Sequence, residues 1–301
     1  MAIRQYLKVI GRGKDGARAL SREQAFDLFR QVLDGTVTDL EVGGFCLAMR
    51  IKGETPGEMA GFLDAAHARL NKLPATARPM VVLPSYNGAR KLPLLTPLLA
   101  LLLAREGLPV LVHGAATEDT RVYTSEVLEV LGVITQSAIN PVAPGEVAFV
   151  PTGLLSAGLQ RLLDVRRAVG LRNPAHSLVK LMNPCAGPSL IVGSYTHPEY
   201  AISMAAVFEL MQANALLLRG TEGEVVADAR RMPQMLGFVA GRRSVLQEAQ
   251  SGPVATLPEP PKTTDTASTA AYIQAVMAGH QPVPAPIARQ VEHILHLVSQ
   301  L

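Results

Sequence analysis

The sequence predicts an α/β protein: a small helical N-terminal domain followed by a larger α/β domain with a mostly parallel central sheet. Three observations predict it. The first 75 residues carry three successive helix-capping signatures. After Pro79, short apolar runs alternate with helix-length stretches, the pattern of a parallel sheet covered on both faces. With 301 residues, 48 % apolar and 18 % charged, the chain can form one large domain or two ordinary ones around a substantial core.

The capping signatures are Ser21 with Gln24, Thr38 with Glu41, and Thr55 with Glu58. In each, the hydroxyl accepts from the third backbone N–H while the Glu or Gln reaches back to the cap. Pro56 sits where a helix begins, and Gly35 and Gly53 sit where the preceding ones stop. Ala25, Leu28, Phe29, Val32 and Leu33 recur at helical spacing, as do Val42, Phe45, Cys46 and Met49, so Cys46 falls on a core face. Candidate strands follow at Met80 to Leu83, Pro109 to Val112, Val147 to Val150, Leu190 to Val192 and Ala215 to Leu218. Candidate helices cover 95–105, 124–131, 154–168 and 198–211. Pro253, Pro258, Pro260 and Pro261 mark an extended linker or surface loop before helical segments near 266–278 and 285–299. The expected domains are 1–75, joined by a returning segment near 155–185, and 76–301.

Composition excludes several classes. There is no Trp, with seven Phe and six Tyr, so Leu, Val and Ala must fill the core of what is neither a disordered nor a disulfide-framework chain. The longest near-apolar run, Leu92 to Ala104, is interrupted by Pro93, Thr96 and Pro97 and is too short to span a bilayer. No apolar stretch follows the N-terminal bases, so no secretory signal is expected. Two cysteines, Cys46 and Cys185, fit a reducing compartment. A cytoplasmic protein with no membrane partner is expected.

The net charge of +3 is unevenly distributed. Residues 1–22 hold Arg4, Lys8, Arg12, Lys14, Arg18 and Arg22 against Asp15 alone. A second basic stretch sets Arg161, Arg166, Arg167, Arg172 and Lys180 against Asp164. Such segregation fits an anionic partner or a pair of solvated helix faces, and charge alone leaves both open.

In a parallel sheet, ligands bind beyond the carboxyl ends of the strands. The residues expected there are Pro84-Ser85-Tyr86-Asn87-Gly88-Ala89-Arg90-Lys91, then His113-Gly114-Ala115, then Arg219 to Glu224. Tyr86 can stack on a base or pack within its loop. His113 can act as a general base or be held in a turn, and His176 has the same two readings. Glu222 and Glu224 can hold a cation weakly or cap backbone donors. His293 and His296 have no accompanying ligand set, and Cys185 no paired His, so no metal site and no catalytic residue is expected.

Several stretches resemble anthranilate phosphoribosyltransferases: Leu20-Ser21-Arg22-Glu23 through Asp34-Gly35, Ala48 to Thr55, Val112-His113-Gly114, Thr124 to Gly132, and Val165 to Arg172. The resemblance covers nearly the whole chain and implies the fold above; in it Arg166 matches an arginine that helps bind anthranilate. The catalytic loops depart from the enzymes. Their Gly-Thr-Gly-Gly-Asp loop approaches pyrophosphate with bare backbone, whereas this chain has Pro84-Ser85-Tyr86-Asn87-Gly88, in which Pro84 lacks a donor. Their magnesium-binding Asp-Glu pair is Gly223-Glu224 here, and their loop Asn and Arg are Ala115 and Ala116.

The departures are themselves similar to the YbiB-type subgroup: Pro84 to Lys91, Thr120-Arg121-Val122, His197 to Tyr200, Gly220 to Val225 and Ile10 to Lys14. That resemblance implies a homodimer binding DNA or RNA without strong sequence preference. Arg12-Gly13-Lys14 is expected in a loop before the first capped helix. The expected phosphate contacts are Arg4, Lys8, Arg12, Lys14, Arg18, Lys52, Arg90, Lys91, Arg121, Arg166, Arg167, Arg172 and Lys180. Ser85, Tyr86, Asn87, Gly88, His113, Gly114, Arg166 and Glu224 form the expected degenerate substrate pocket. No cofactor is expected. The alternative is a phosphoribosyltransferase with an unknown acceptor, which alone would call for magnesium.

Overall fold

A computed structural model describes residues 3–301, apart from the side chain of Lys14. The chain opens with five helices: α1 (Arg4–Ile10), α2 (Gly13–Gly16), α3 (Arg22–Asp34), α4 (Asp39–Lys52) and α5 (Pro56–His67). It then alternates β1 (Met80–Ser85), α6 (Thr96–Arg105), β2 (Val110–Gly114), α7 (Thr124–Val130) and β3 (Val147–Pro151). Three helices follow, α8 (Thr152–Leu155), α9 (Ala157–Val169) and α10 (Ala175–Leu178). After them come β4 (Ser189–Tyr195), α11 (Pro198–Leu210) and β5 (Ala215–Arg219), then the hairpin β6 (Met235–Val239) and β7 (Arg242–Gln247). Helices α12 (Thr266–Met277) and α13 (Ala285–Val298) close the chain.

These elements form two compact units, one of residues 3–71 with Thr152–Pro184, the other of Lys72–Pro151 with Cys185–Leu301. In the helical unit all three capping boxes form with both reciprocal hydrogen bonds. Phe29, Phe45 and Phe62 make its aromatic centre, Phe29 and Phe62 stacked with centroids 4.8 Å apart and Phe45 edge-on to both. Helices α3 and α5 approach so closely that a Cβ on Gly61 would lie 2.2 Å from the Arg22 carbonyl oxygen. The stretch Gly13-Lys14, expected as loop, is the short helix α2, which follows directly on α1.

The second unit is organised by a seven-stranded sheet in the order β3-β2-β1-β4-β5-β6-β7. The first five strands are parallel; β6 and β7 are antiparallel additions at one edge. Side chains alternate across it. Val81, Leu83, Val110, Val112, Leu190, Val192, Leu216 and Leu218 share one core with α6, α12 and α13, while Gly193 on the other face lets Phe208 of α11 close in. Strand order reverses between β1 and β4, and their carboxyl ends therefore flank a topological switch point.

Candidate functional site

The loops leaving β1, β2 and β5 meet in the α/β unit. Strand β1 ends at Ser85, whose hydroxyl donates to Glu224 Oε2 at 2.5 Å and stands 2.7 Å from the Thr124 hydroxyl, which is left to act as donor to it. The next N–H groups converge on the other oxygen: Asn87 N and Gly88 N donate to Glu224 Oε1 at 2.7 and 2.8 Å. Thr96, the first residue of α6, adds its hydroxyl to Oε2 at 3.3 Å. Glu224 is only 1 % exposed.

Two residues earlier, Glu222 does the same for the rest of the loop. Its carboxylate accepts from the backbone N–H groups of Arg90, Lys91 and Leu92 at 2.8 to 3.3 Å. Ala89 N donates to the Val122 carbonyl, so every N–H from Asn87 to Leu92 has an acceptor within the protein. Of the two roles open to these glutamates in the sequence, the structure shows the capping one.

The turn carrying them is strained and pinned. Glu222 has φ +52°, a left-handed conformation uncommon outside glycine. Asn87 Nδ2 donates to the Glu222 carbonyl and the Ser194 hydroxyl to that of Gly223. Downstream, the fully buried Gln290 of α13 accepts from Ala227 N and donates to the Val225 carbonyl, at 2.9 and 2.7 Å. Gly114 is equally committed, since a Cβ there would lie 2.1 Å from the Ser85 carbonyl oxygen.

Tyr86 and His113 pair beneath this loop, with Tyr86 Oη 2.8 Å from His113 Nδ1 and both side chains buried. Burial pushes His113 down to about 3, so its ring is neutral, and Nε2 lacks a hydrogen-bond partner among the described residues. The geometry favours packing for Tyr86 over base stacking, because a stacking ring must reach solvent. His176 lies in the helical unit, lowered to about 4 by burial and the nearby Arg172 and Arg166 charges. Both cysteines are buried outside any disulfide, and burial pushes their thiols up to about 12.

The structure thus brings together Ser85, Asn87, Gly88 and Glu224, sets Tyr86 against His113, and packs Gly114 beside Ser85. Arg166 belongs to α9 in the helical unit. Of the expected phosphate contacts, Arg4, Lys8, Arg12, Arg18, Arg90, Lys91 and Arg167 are exposed, and Arg166, Arg172 and Lys180 are half-buried. Two others are committed elsewhere. Lys52 Nζ lies 2.7 Å from the buried Glu58 carboxylate, and Arg121 binds Glu118 and the Asn87 carbonyl. The Lys14 side chain lies outside the described residues. Thr96, Thr124, Ser194 and Gln290 were not singled out from sequence; only Gln290 leaves a trace there, as a polar residue in the apolar stripe Ile287, Ile294, Leu297.

Magnesium does not fit this arrangement. Each oxygen of the buried Glu224 already accepts two hydrogen bonds, which uses its lone pairs and leaves none for a cation, and Glu222 is spent on three backbone N–H groups. Among the described residues, no group of three His, Cys, Asp or Glu is placed to hold a metal, and no helix is long and apolar enough to cross a membrane.

The fold, the switch-point loops and the helical unit define a protein of the anthranilate phosphoribosyltransferase architecture. The helical bundle domain of the glycosyl transferase family matches residues 4–69. The uncharacterized protein YbiB of Escherichia coli (strain K12) is 40 % identical over 97 % of this chain and 92 % of its own length. The anthranilate phosphoribosyltransferase of Sorangium cellulosum is 28 % identical over 86 % of this chain and 76 % of its own. In three dimensions, the anthranilate phosphoribosyltransferase of Thermus thermophilus superposes with a TM-score of 0.73, covering 97 % of this chain and 86 % of that one at 22 % identity. The chain belongs to the glycosyl transferase family 3 proteins, within the group that includes YbiB.

Proposed function

We propose that the chain is a sequence-nonspecific nucleic-acid-binding protein, of DNA or RNA, on a non-catalytic phosphoribosyltransferase fold. The observation carrying this reading is the exposed basic row at the N-terminus. Arg4 and Lys8 are one helical turn apart on α1, and Arg12 continues the spacing, while Ile3 and Ile10 turn inward. Lys and Arg on a solvated face suit a phosphate backbone, which is read by charge rather than by a shaped pocket. In a cytoplasmic homodimer, twofold symmetry would duplicate the row.

The test is DNA affinity as a function of salt. A steep linear fall of log affinity with log salt is expected, and Lys8→Glu with Arg12→Glu should weaken all sequences alike and flatten the slope by roughly one per lost contact. Binding that is absent at low salt, or indifferent to salt, defeats the proposal.

Kinship lies nearer a second reading, phosphoribosyl transfer to an unidentified acceptor. It is supported by the likeness to anthranilate phosphoribosyltransferases and by the sequence resemblance to them around His113, Arg166 and Glu224. The engaged state of Glu224 and the buried, neutral His113 weigh against it. Calorimetric titration with phosphoribosyl pyrophosphate and magnesium separates the two: tight, magnesium-dependent binding establishes the enzyme reading, and none removes it.

A further inference from the structure

We infer that Tyr6 is the positioning residue of the basic row: bonded to Asp27 of α3, it holds α1 in the orientation that turns Arg4, Lys8 and Arg12 outward together. The inference rests on the nucleic-acid reading above and adds to it the side chains that keep the contact surface in order.

A helix of 7 residues has little stability of its own, so α1 is ordered by what it rests on. Ile3, Tyr6 and Ile10 recur at spacings of three and four and share one side of it, while Arg4 and Lys8 follow one another on a different side. Ile3 and Ile10 are buried, and Leu7 lies against Gly44 of α4. Such apolar contacts are non-directional and let a short helix roll. A hydrogen bond does not, because donor and acceptor must stay in line. Tyr6 Oη supplies one, donating to Asp27 Oδ2 at 2.7 Å across 21 positions of sequence.

The acceptor is held independently of α1. Arg30 Nη2 donates to Asp27 Oδ1 and Gln31 Nε2 to Oδ2, both at 2.7 Å. Arg30 also approaches Asp34, which takes the Arg69 guanidinium, so the anchor runs on along α3 and past α5. The Arg30 bond, with that from Tyr6, keeps the Asp27 carboxyl below its usual range, and Tyr6 therefore donates to a charged acceptor. At the far end of the row, Arg12 Nε donates to the Lys8 carbonyl at 3.0 Å, so the third base moves with α1.

The experiment compares the full chain with Tyr6→Phe, which removes only the hydroxyl, and Tyr6→Ala, which removes the ring as well; neither changes a charge. Site-resolved amide exchange is followed without nucleic acid, and DNA affinity is followed across a salt series. In Tyr6→Phe the amides of Leu7 and Gly11, bonded to the Ile3 and Leu7 carbonyls, should exchange about three- to tenfold faster, as loss of one hydrogen bond implies, while α3 and α5 amides keep parental rates. Asp27→Ala should loosen α1 likewise, and the double variant no further than either. DNA affinity should follow the fraction of chains with α1 seated, falling at least about threefold in Tyr6→Ala. The slope of log affinity against log salt should stay parental, because the same phosphates are contacted once α1 is seated. Lys8→Glu with Arg12→Glu flattens that slope, which separates a residue that positions from one that touches. Parental exchange of α1 in Tyr6→Phe overturns the inference, as does equal loosening of α1, α3 and α5, or parental DNA affinity in Tyr6→Ala with α1 loosened. If the parent binds no DNA at low salt, the nucleic-acid reading fails, and the exchange rates still decide whether Tyr6 orders α1.

Discussion

The hydroxyl of Tyr86 lies 2.8 Å from Nδ1 of His113, and the two rings meet edge to face inside the α/β unit. The pair fixes the Tyr86 side chain in the loop that follows β1. It also couples stability to pH. His113 is lowered from 6.5 to about 3 by burial, so between those values the unfolded chain binds a proton that the folded chain refuses. His113 thus contributes stability that is present above pH 6.5 and is lost as pH falls towards 3. The His113→Asn variant should be less stable than the parent at pH 7, with the gap narrowing on acidification at up to about 1.4 kcal/mol per pH unit. Denaturant melts between pH 7 and pH 5 measure it. A gap that stays constant contradicts the assignment.

Lys52 separates structural bases from those proposed to bind nucleic acid. Its ammonium is 2.7 Å from Glu58, whose side chain is fully buried and also caps Thr55 and accepts from Leu20 N. Replacing Lys52 by Met keeps the aliphatic stem but leaves the carboxylate without its cation, costing about 3 kcal/mol by the behaviour of broken buried pairs. DNA affinity of the folded variant should be unchanged, in contrast to Lys8→Glu with Arg12→Glu. Thermal unfolding and a salt-resolved binding titration on the same preparations check both halves.

Gly61 reports on how tightly α3 and α5 are packed. A methyl there meets the Arg22 carbonyl oxygen, the Phe26 nitrogen and Ala25 Cβ, and backbone atoms cannot turn aside as a side chain would. Gly61→Ala should therefore destabilise by about 2–3 kcal/mol through overpacking, although alanine is the better helix former. A neutral or stabilising result by denaturant melt would show that the two helices separate easily.

The legible parts of this protein were local. Ser21, Thr38 and Thr55 announce their helices because each cap closes over three residues. The five parallel strands are buried on both faces and so read as plain apolar runs. The β6–β7 hairpin was missed because its strands carry little alternation and its turn places Ala240 at φ +48° beside Gly241 at φ +75°, a conformation that alanine does not advertise. At the site, the loop residues were found from sequence, but their state was not. Glu224 meets Ser85, Asn87 and Gly88 across 136 to 139 positions, a juxtaposition only the sheet order creates.

Gln290 is the residue through which α13 holds the turn that presents Glu224. It is wholly buried on an otherwise apolar stripe, and both ends of its amide are used, one accepting from Ala227 N and the other donating to the Val225 carbonyl. Gln290→Leu preserves volume but leaves a buried donor and a buried acceptor unpaired, for a loss of about 2–4 kcal/mol. A purely structural loss would stop there. If Gln290 also positions the turn, the amides of Asn87 and Gly88 should lose exchange protection by a larger factor than amides of β1 and β2 in the same variant. Site-resolved hydrogen exchange measures that difference. Uniform loss across the sheet would show that Gln290 only stabilises the fold, and a selective loss at the two amides that Glu224 holds would show that α13 keeps the carboxylate in place.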